Sequence, residues 1–179
     1  MRKVNMIVSH LLILIFMVHA ILGIFNLAGV ASVVSKGINA ILLILVAIHV
    51  VIGTVLTVKT DVIQNKAGVR YQKENRLFWM RRTSGFTTMI LIVFHVLAFS
   101  GVSATNHTLP LFNIWKLITM ILMVLSLGVH LASNMKNLYI GTGIKKPDVR
   151  AGDVLFWVSV ILLLSAVAFI IYYIRWQTL

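Results

Sequence analysis

Residues 38–58 read INAILLILVAIHVVIGTVLTV, an apolar run with no Lys, Arg, Asp or Glu. At about 1.5 Å per helical residue it reaches ~30 Å, the thickness of a bilayer's hydrocarbon core. Its one ionisable group is His49. Outward from it, four more runs of similar length stand at 6–27, 84–101, 112–133 and 154–174. A spanning segment must satisfy its own backbone hydrogen bonds, and no period-two alternation is present, so helices are expected rather than a barrel. Both prolines, Pro110 and Pro147, fall between the runs, where they break no helical hydrogen bond.

Composition agrees. The 179 residues are 60% hydrophobic and 11% charged, and mean hydropathy is +1.00. A soluble globule of this size cannot hide so much apolar surface. Soluble enzymes, coiled coils and disordered tails are excluded. The expected fold is a single all-α integral membrane domain, residues 1–179, with five transmembrane helices. Cysteine is absent, so the chain builds no disulfide, no Cys-ligated zinc and no iron–sulfur cluster.

Sixteen Lys and Arg face four acids, a net charge of +12. In a soluble chain that excess would suggest nucleic acid. Here the positives sit between apolar runs, so topology explains them and no nucleic-acid partner is expected. Thirteen of the sixteen lie on one side: Arg2 and Lys3, the connection 59–83, and the connection after the fourth run. Only Lys36, Lys116 and Arg175 lie on the other. The positive-inside rule puts the N-terminus in the cytoplasm and the C-terminus outside, in a cytoplasmic (inner) membrane. The first run follows Arg2-Lys3 as a signal peptide would, but it is long and carries two histidines, so it is read as a span. The connection 59–83, with seven positives and Tyr71, Phe78 and Trp79, reads either as a solvated loop ending in an aromatic belt or as a docking surface.

Of six histidines, His107 falls in an external loop and His10 near the cytoplasmic end of the first run. His19, His49, His95 and His130 lie one per run, at membrane depth, and the fifth run has none. An intramembrane ionisable residue is a functional-site candidate by default. The structural alternative for each is a neutral imidazole bonded to a neighbouring helix. Counted from the basic flanks, His19 and His95 lie ~20 Å in, while His49 and His130 lie ~15 and ~9 Å from the cytoplasmic end. Two levels with two ligands each is what two bis-His haems require; His at both axial positions suits electron transfer. Small residues four away from three of them, Gly23, Gly53 and Ser126, suggest gaps for a flat porphyrin. They also suit ordinary small-residue helix packing. A single four-His zinc site would need all four nitrogens ~2 Å from one ion, against the two levels.

Arg82-Thr83-Ser84-Gly85, then nine residues, then His95, resembles the cytochrome b membrane anchor of succinate:quinone oxidoreductases and fumarate reductases. The closest likeness is to the single-subunit, five-helix, dihaem type. His130-Leu131-Ala132-Ser133-Asn134, followed by Gly141 and Gly143, is similar to that family's fourth helix and its exit. The resemblance implies two haem b groups, an outer one on the iron ligands His19 and His95 and an inner one on His49 and His130. It implies that Arg82 and Ser84 lie near a haem propionate or a cytoplasmic-side quinone. Apart from the resemblance, these two residues read as an interfacial charge and a helix start. It implies flavoprotein and iron–sulfur partners on the cytoplasmic face, with menaquinone or ubiquinone as the other electron partner. The four acids, Asp61, Glu74, Asp148 and Asp153, all lie on the cytoplasmic side. An outer quinone site would therefore lack the family's carboxylate and would turn on His107, which otherwise reads as a surface residue.

Three other functions are compatible with the sequence. One is a cytochrome b anchor for a different dehydrogenase. Another is a haem-free transporter or metal-ion carrier, disfavoured by the lack of any acid inside a span. The third is a purely structural anchor. The orientation is testable first. Reporter fusions at Leu179 should register outside the cytoplasm and fusions at the amino terminus inside; a cytoplasmic Leu179 overturns the span count or the orientation.

Overall fold

The computed structural model describes residues 1–30, 36–66, 72–100, 111–143 and 147–177. It is all-α, with five helices: α1 (Arg2–Leu27), α2 (Lys36–Lys66), α3 (Gln72–Phe99), α4 (Ile114–Gly141) and α5 (Pro147–Gln177). All five are long and apolar enough to cross a membrane.

The helices outrun the apolar segments at the basic face of the bundle, the end that holds Met1. The expected connection 59–83 is mostly helix: α2 continues to Lys66 and α3 begins at Gln72. The expected basic loop after the fourth run shrinks in the same way, since α4 continues to Gly141 and α5 opens at Pro147. Charge stops a span without stopping a helix, because backbone bonding continues wherever side chains reach water. Ser84 is therefore no helix start; it sits three turns into α3. Pro147 occupies the first helical position, where its missing N–H has no partner to lose. Pro110 and His107 lie outside the described residues.

Two ends close with glycine in the left-handed region, Gly29 (φ 74°) after α1 and Gly143 (φ 71°) after α4. At α1 the Val30 N–H donates to the Phe25 carbonyl at 3.0 Å and the Gly29 N–H to the Asn26 carbonyl at 3.1 Å. This paired closure satisfies carbonyls that a helix end otherwise strands. Arg175, in the last turn of α5, donates to the Ala28 carbonyl at 2.7 Å and adds a cation at the negative end of α1. α4 starts on Asn113, whose side-chain oxygen accepts from the Lys116 N–H at 3.0 Å.

Packing is uneven. α1 pairs with α2 and α3 pairs with α4, as two antiparallel hairpins. α5 packs against both α4 and α1 and joins the hairpins along one side. On the other side the hairpins stand apart: α1 meets α4 only briefly, and α2 has no extended approach to α3 or α4. None of the span Lys36–Ile63 of α2 is buried. The buried core gathers on α5 instead, around Val158, Leu162, Ala168, Phe169 and Tyr172, with Met120 and Phe112. Phe112 is 1% exposed and its ring lies 6.3 Å from Phe169, 5.1 Å from Tyr172 and 6.0 Å from Phe99.

Replacing Phe112 with Ala should remove the centre of this cluster and lower stability by about 3–5 kcal/mol. Trp115→Ala, at a site 73% exposed, should cost far less. Thermal unfolding in detergent distinguishes the two; equal losses would mean the aromatic cluster does not hold the α4 entry.

Candidate functional site

His19, His49, His95 and His130 come together as two pairs, one member from each hairpin. His19 of α1 and His95 of α3 have ring centroids 6.1 Å apart. His49 of α2 and His130 of α4 are 6.3 Å apart. These are the pairs that depth along the helices suggests. His10 stands apart from both, with its ring 5.8 Å from Tyr139 and its Nδ1 2.8 Å from the Met6 carbonyl.

Each ring is held through Nδ1. His19 Nδ1 lies 3.0 Å from Asn39 Oδ1 and His95 Nδ1 lies 3.3 Å from Met120 Sδ. Both partners are acceptors only, so the nitrogen must carry the proton and donate. His49 Nδ1 lies 3.4 Å from Ser9 Oγ, and Ser9 spends its own proton on the Asn5 carbonyl at 2.8 Å. His130 Nδ1 lies 3.4 Å from Ser84 Oγ, which donates to the Arg81 carbonyl at 3.3 Å. Asn134 Nδ2 is 3.5 Å from the same nitrogen, but it donates to the His130 carbonyl at 2.7 Å and to Ser133 Oγ at 3.4 Å. With those donations in place the hydroxyls act as acceptors, and an Nδ1–H tautomer with its lone pair on Nε2 is compatible with these contacts at all four rings.

The Arg82–Gly85 stretch serves the second pair, not the histidine of its own helix. Ser84 is 8% exposed and touches His130 across the α3–α4 seam. A Cβ on Gly85 would stand 2.9 Å from His130 Cε1 and 3.1 Å from its Nδ1, so only glycine leaves room for that ring. Arg82 extends from α3 to α2, donating from Nη1 to the Gly53 carbonyl at 3.4 Å, and its guanidinium lies 5.2 Å from the Phe78 ring centroid. Its Nε is buried without a hydrogen-bond partner.

The small residues divide. A Cβ added at Gly23 or Gly53 would meet nothing within 4 Å, so there is open space beside His19 and His49. Ser126 makes no such gap: its hydroxyl lies 2.8 Å from Thr88 Oγ1 and donates to the Ser84 carbonyl at 3.2 Å. It fastens α4 to α3. Behind that seam, Met80, Thr83, Ser84, Thr87, Ser126 and Val129 line a shallow notch of about 280 Å³.

Two trans imidazoles bonded to one metal at about 2 Å place their ring centroids about 6 Å apart. Both pairs have that separation, and there is open space next to Gly23 and Gly53, one turn from His19 and His49. A flat macrocycle carrying iron fits this donor set, and Arg82 offers an unused donor for an acidic substituent. Among the described residues no three His, Asp or Glu side chains converge, so a tetrahedral zinc site is not built. Ser9, Asn39 and Met120 are site residues that the sequence reading missed. Only their recurrence ten residues from a histidine on the same helix could have signalled them.

The tautomers are directly testable. In ¹⁵N-histidine spectra of haem-free protein, His19, His49, His95 and His130 should all show a protonated Nδ1 and an unprotonated Nε2. A protonated Nε2 on any of them would remove it as a ligand in this arrangement. No protein-family model, no curated protein and no solved structure matches the chain.

Proposed function

We propose that the chain is a dihaem cytochrome b membrane anchor resembling that of succinate dehydrogenases and fumarate reductases. It would pass electrons between an iron–sulfur/flavoprotein partner on the cytoplasmic face and the membrane quinone pool. One observation carries this reading: four histidines, one on each of four helices, meet as two facing pairs, each ring with its Nδ1 near a polar atom of the neighbouring helix.

When bound, b-type haem would supply a one-electron carrier at each level. His19 and His95 would hold the outer group, His49 and His130 the inner one. The chain has no cysteine and therefore no thioether attachment, so both would be held non-covalently. Hydrogen bonding at Nδ1 keeps each imidazole in its ligating tautomer and raises its basicity toward a metal. Arg82, reaching across from α3 to α2, would bind an acidic haem substituent through its unpartnered Nε. Gly23, Gly53 and Gly85 keep side chains out of the space that rings and macrocycle need.

The quinone would react at the inner side near Arg82 and Ser84 or at the outer side near His107. Ser84 already accepts from His130 and donates to the Arg81 carbonyl. Its replacement would therefore act on His130 as well as on any quinone, and Thr87 in the same notch is the cleaner probe of an inner site.

Purified protein from haem-replete cells should contain two haems per chain, read as pyridine haemochrome, with a low-spin b-type spectrum. His49→Ala and His130→Ala should each remove one haem, and His19→Ala and His95→Ala the other. Gly85→Ala should weaken or remove the His49/His130 haem alone. A wild-type chain that folds without haem overturns the proposal. Loss of the wrong haem in these variants overturns the pairing.

A second consequence concerns α2, whose span Lys36–Ile63 has no buried residue and which leans mainly on α1. A group bridging His49 to His130 would tie it to the other hairpin. Amide exchange in α2 should slow on haem loading more than in α5. Equal protection in both states would remove the bridging role.

A further inference from the structure

The four partners of the Nδ1 atoms follow a crossed pattern. In the first hairpin, α1 carries the ligand His19 and also Ser9, which accepts from His49 of α2. In return α2 carries His49 and also Asn39, which accepts from His19 of α1. The second hairpin repeats this: α3 carries His95 and also Ser84, which accepts from His130 of α4. In return α4 carries His130 and also Met120, which accepts from His95 of α3. On each helix the two residues are ten or eleven positions apart, a rise of about 15–16 Å.

We propose that Ser9, Asn39, Ser84 and Met120 are positioning residues that act crosswise: each helix ligates one haem and orients the ligand of the other. The inference rests on the dihaem reading for its redox consequences but not for its geometry. An acceptor on Nδ1–H increases electron donation from Nε2 and stabilises ferric iron, so deleting it raises the midpoint potential of the haem concerned. Asn39, on a helix that ligates the His49/His130 haem, therefore governs the His19/His95 haem. Ser9, on a helix that ligates the His19/His95 haem, governs the other. The crossing also locks the levels in register. A helix that slid along its neighbour would misplace a ligand at one level and an acceptor at the other together.

The test uses the full chain carrying Asn39→Leu, Met120→Leu, Ser9→Ala or Ser84→Ala. Methionine and leucine exchange with little packing change. Redox titration with optical detection follows the two haems separately, each identified by its absence from His19→Ala or His49→Ala protein. Asn39→Leu and Met120→Leu should raise the potential of the His19/His95 haem and leave the other within error. Ser9→Ala and Ser84→Ala should do the reverse, and Asn39→Asp should lower the potential that Asn39→Leu raises. Shifts that follow the mutated helix's own histidine, equal shifts in both haems, or no shift in a haem-replete variant each overturn the proposal. A haem-free readout separates this from failure of the functional reading. In ¹⁵N-histidine spectra of the apoprotein, Asn39→Leu should move the His19 Nδ1 resonance and Ser9→Ala that of His49. If the wild-type chain binds no haem, these crossed shifts still sustain the positioning pattern, and their absence overturns it.

Discussion

A histidine at membrane depth has two ring nitrogens and no water to satisfy them. Each unsatisfied polar group there costs several kcal/mol, so the chain must supply partners or leave the nitrogen for something else. In this bundle each Nδ1 has a polar partner on the other helix of the same hairpin. That constraint propagates. Where Nδ1 donates, Nε2 keeps its lone pair, and the tether at Nδ1 limits how each ring can turn toward the opposite hairpin. The rings are tethered through one nitrogen and stand in facing pairs, the feature on which the dihaem proposal rests.

The remaining architecture divides labour between faces. α5 has no histidine, yet it carries much of the buried core and binds both hairpins on one side. Its packing substitutes for contacts that α1 and α2 do not make with α3 and α4. Without a hydrophobic drive between helices in lipid, close packing and polar contacts decide association. The α3–α4 seam has both, through Thr88, Ser126 and Ser84. The α1–α2 hairpin has polar contacts of its own, through Ser9, His49, His19 and Asn39.

The spans and the two histidine levels were legible in the sequence for one reason: helical rise is constant, so counting from a basic flank measures depth. The helix ends were less legible because hydropathy marks where lipid ends, not where backbone bonding ends; α2 runs on past Lys59 through Asp61 to Lys66. Ser9, Asn39 and Met120 were not legible at all. Their partners lie on another helix, and sequence periodicity gives no rotation of one helix about its neighbour. The Arg82–Gly85 stretch shows the same limit. Its spacing within α3 pointed to His95, but eleven residues of rise separate Ser84 from His95 by about 16 Å. Its contact is His130, 46 positions away in the chain.

Arg82 closes the physical account of the level nearer the basic face. A guanidinium has five donors and cannot shed its charge in a protein. Here its described contacts are one long bond to the Gly53 carbonyl and the face of Phe78, while Nε is buried with no partner. No acid lies inside the five apolar runs. A guanidinium half-buried at the flank of an apolar run favours an anionic partner. The His49/His130 pair is faced by hydroxyls, from Ser9 and Ser84, and the His19/His95 pair by an amide and a thioether, from Asn39 and Met120. Under the dihaem reading proposed above, two identical groups would therefore sit in unlike surroundings.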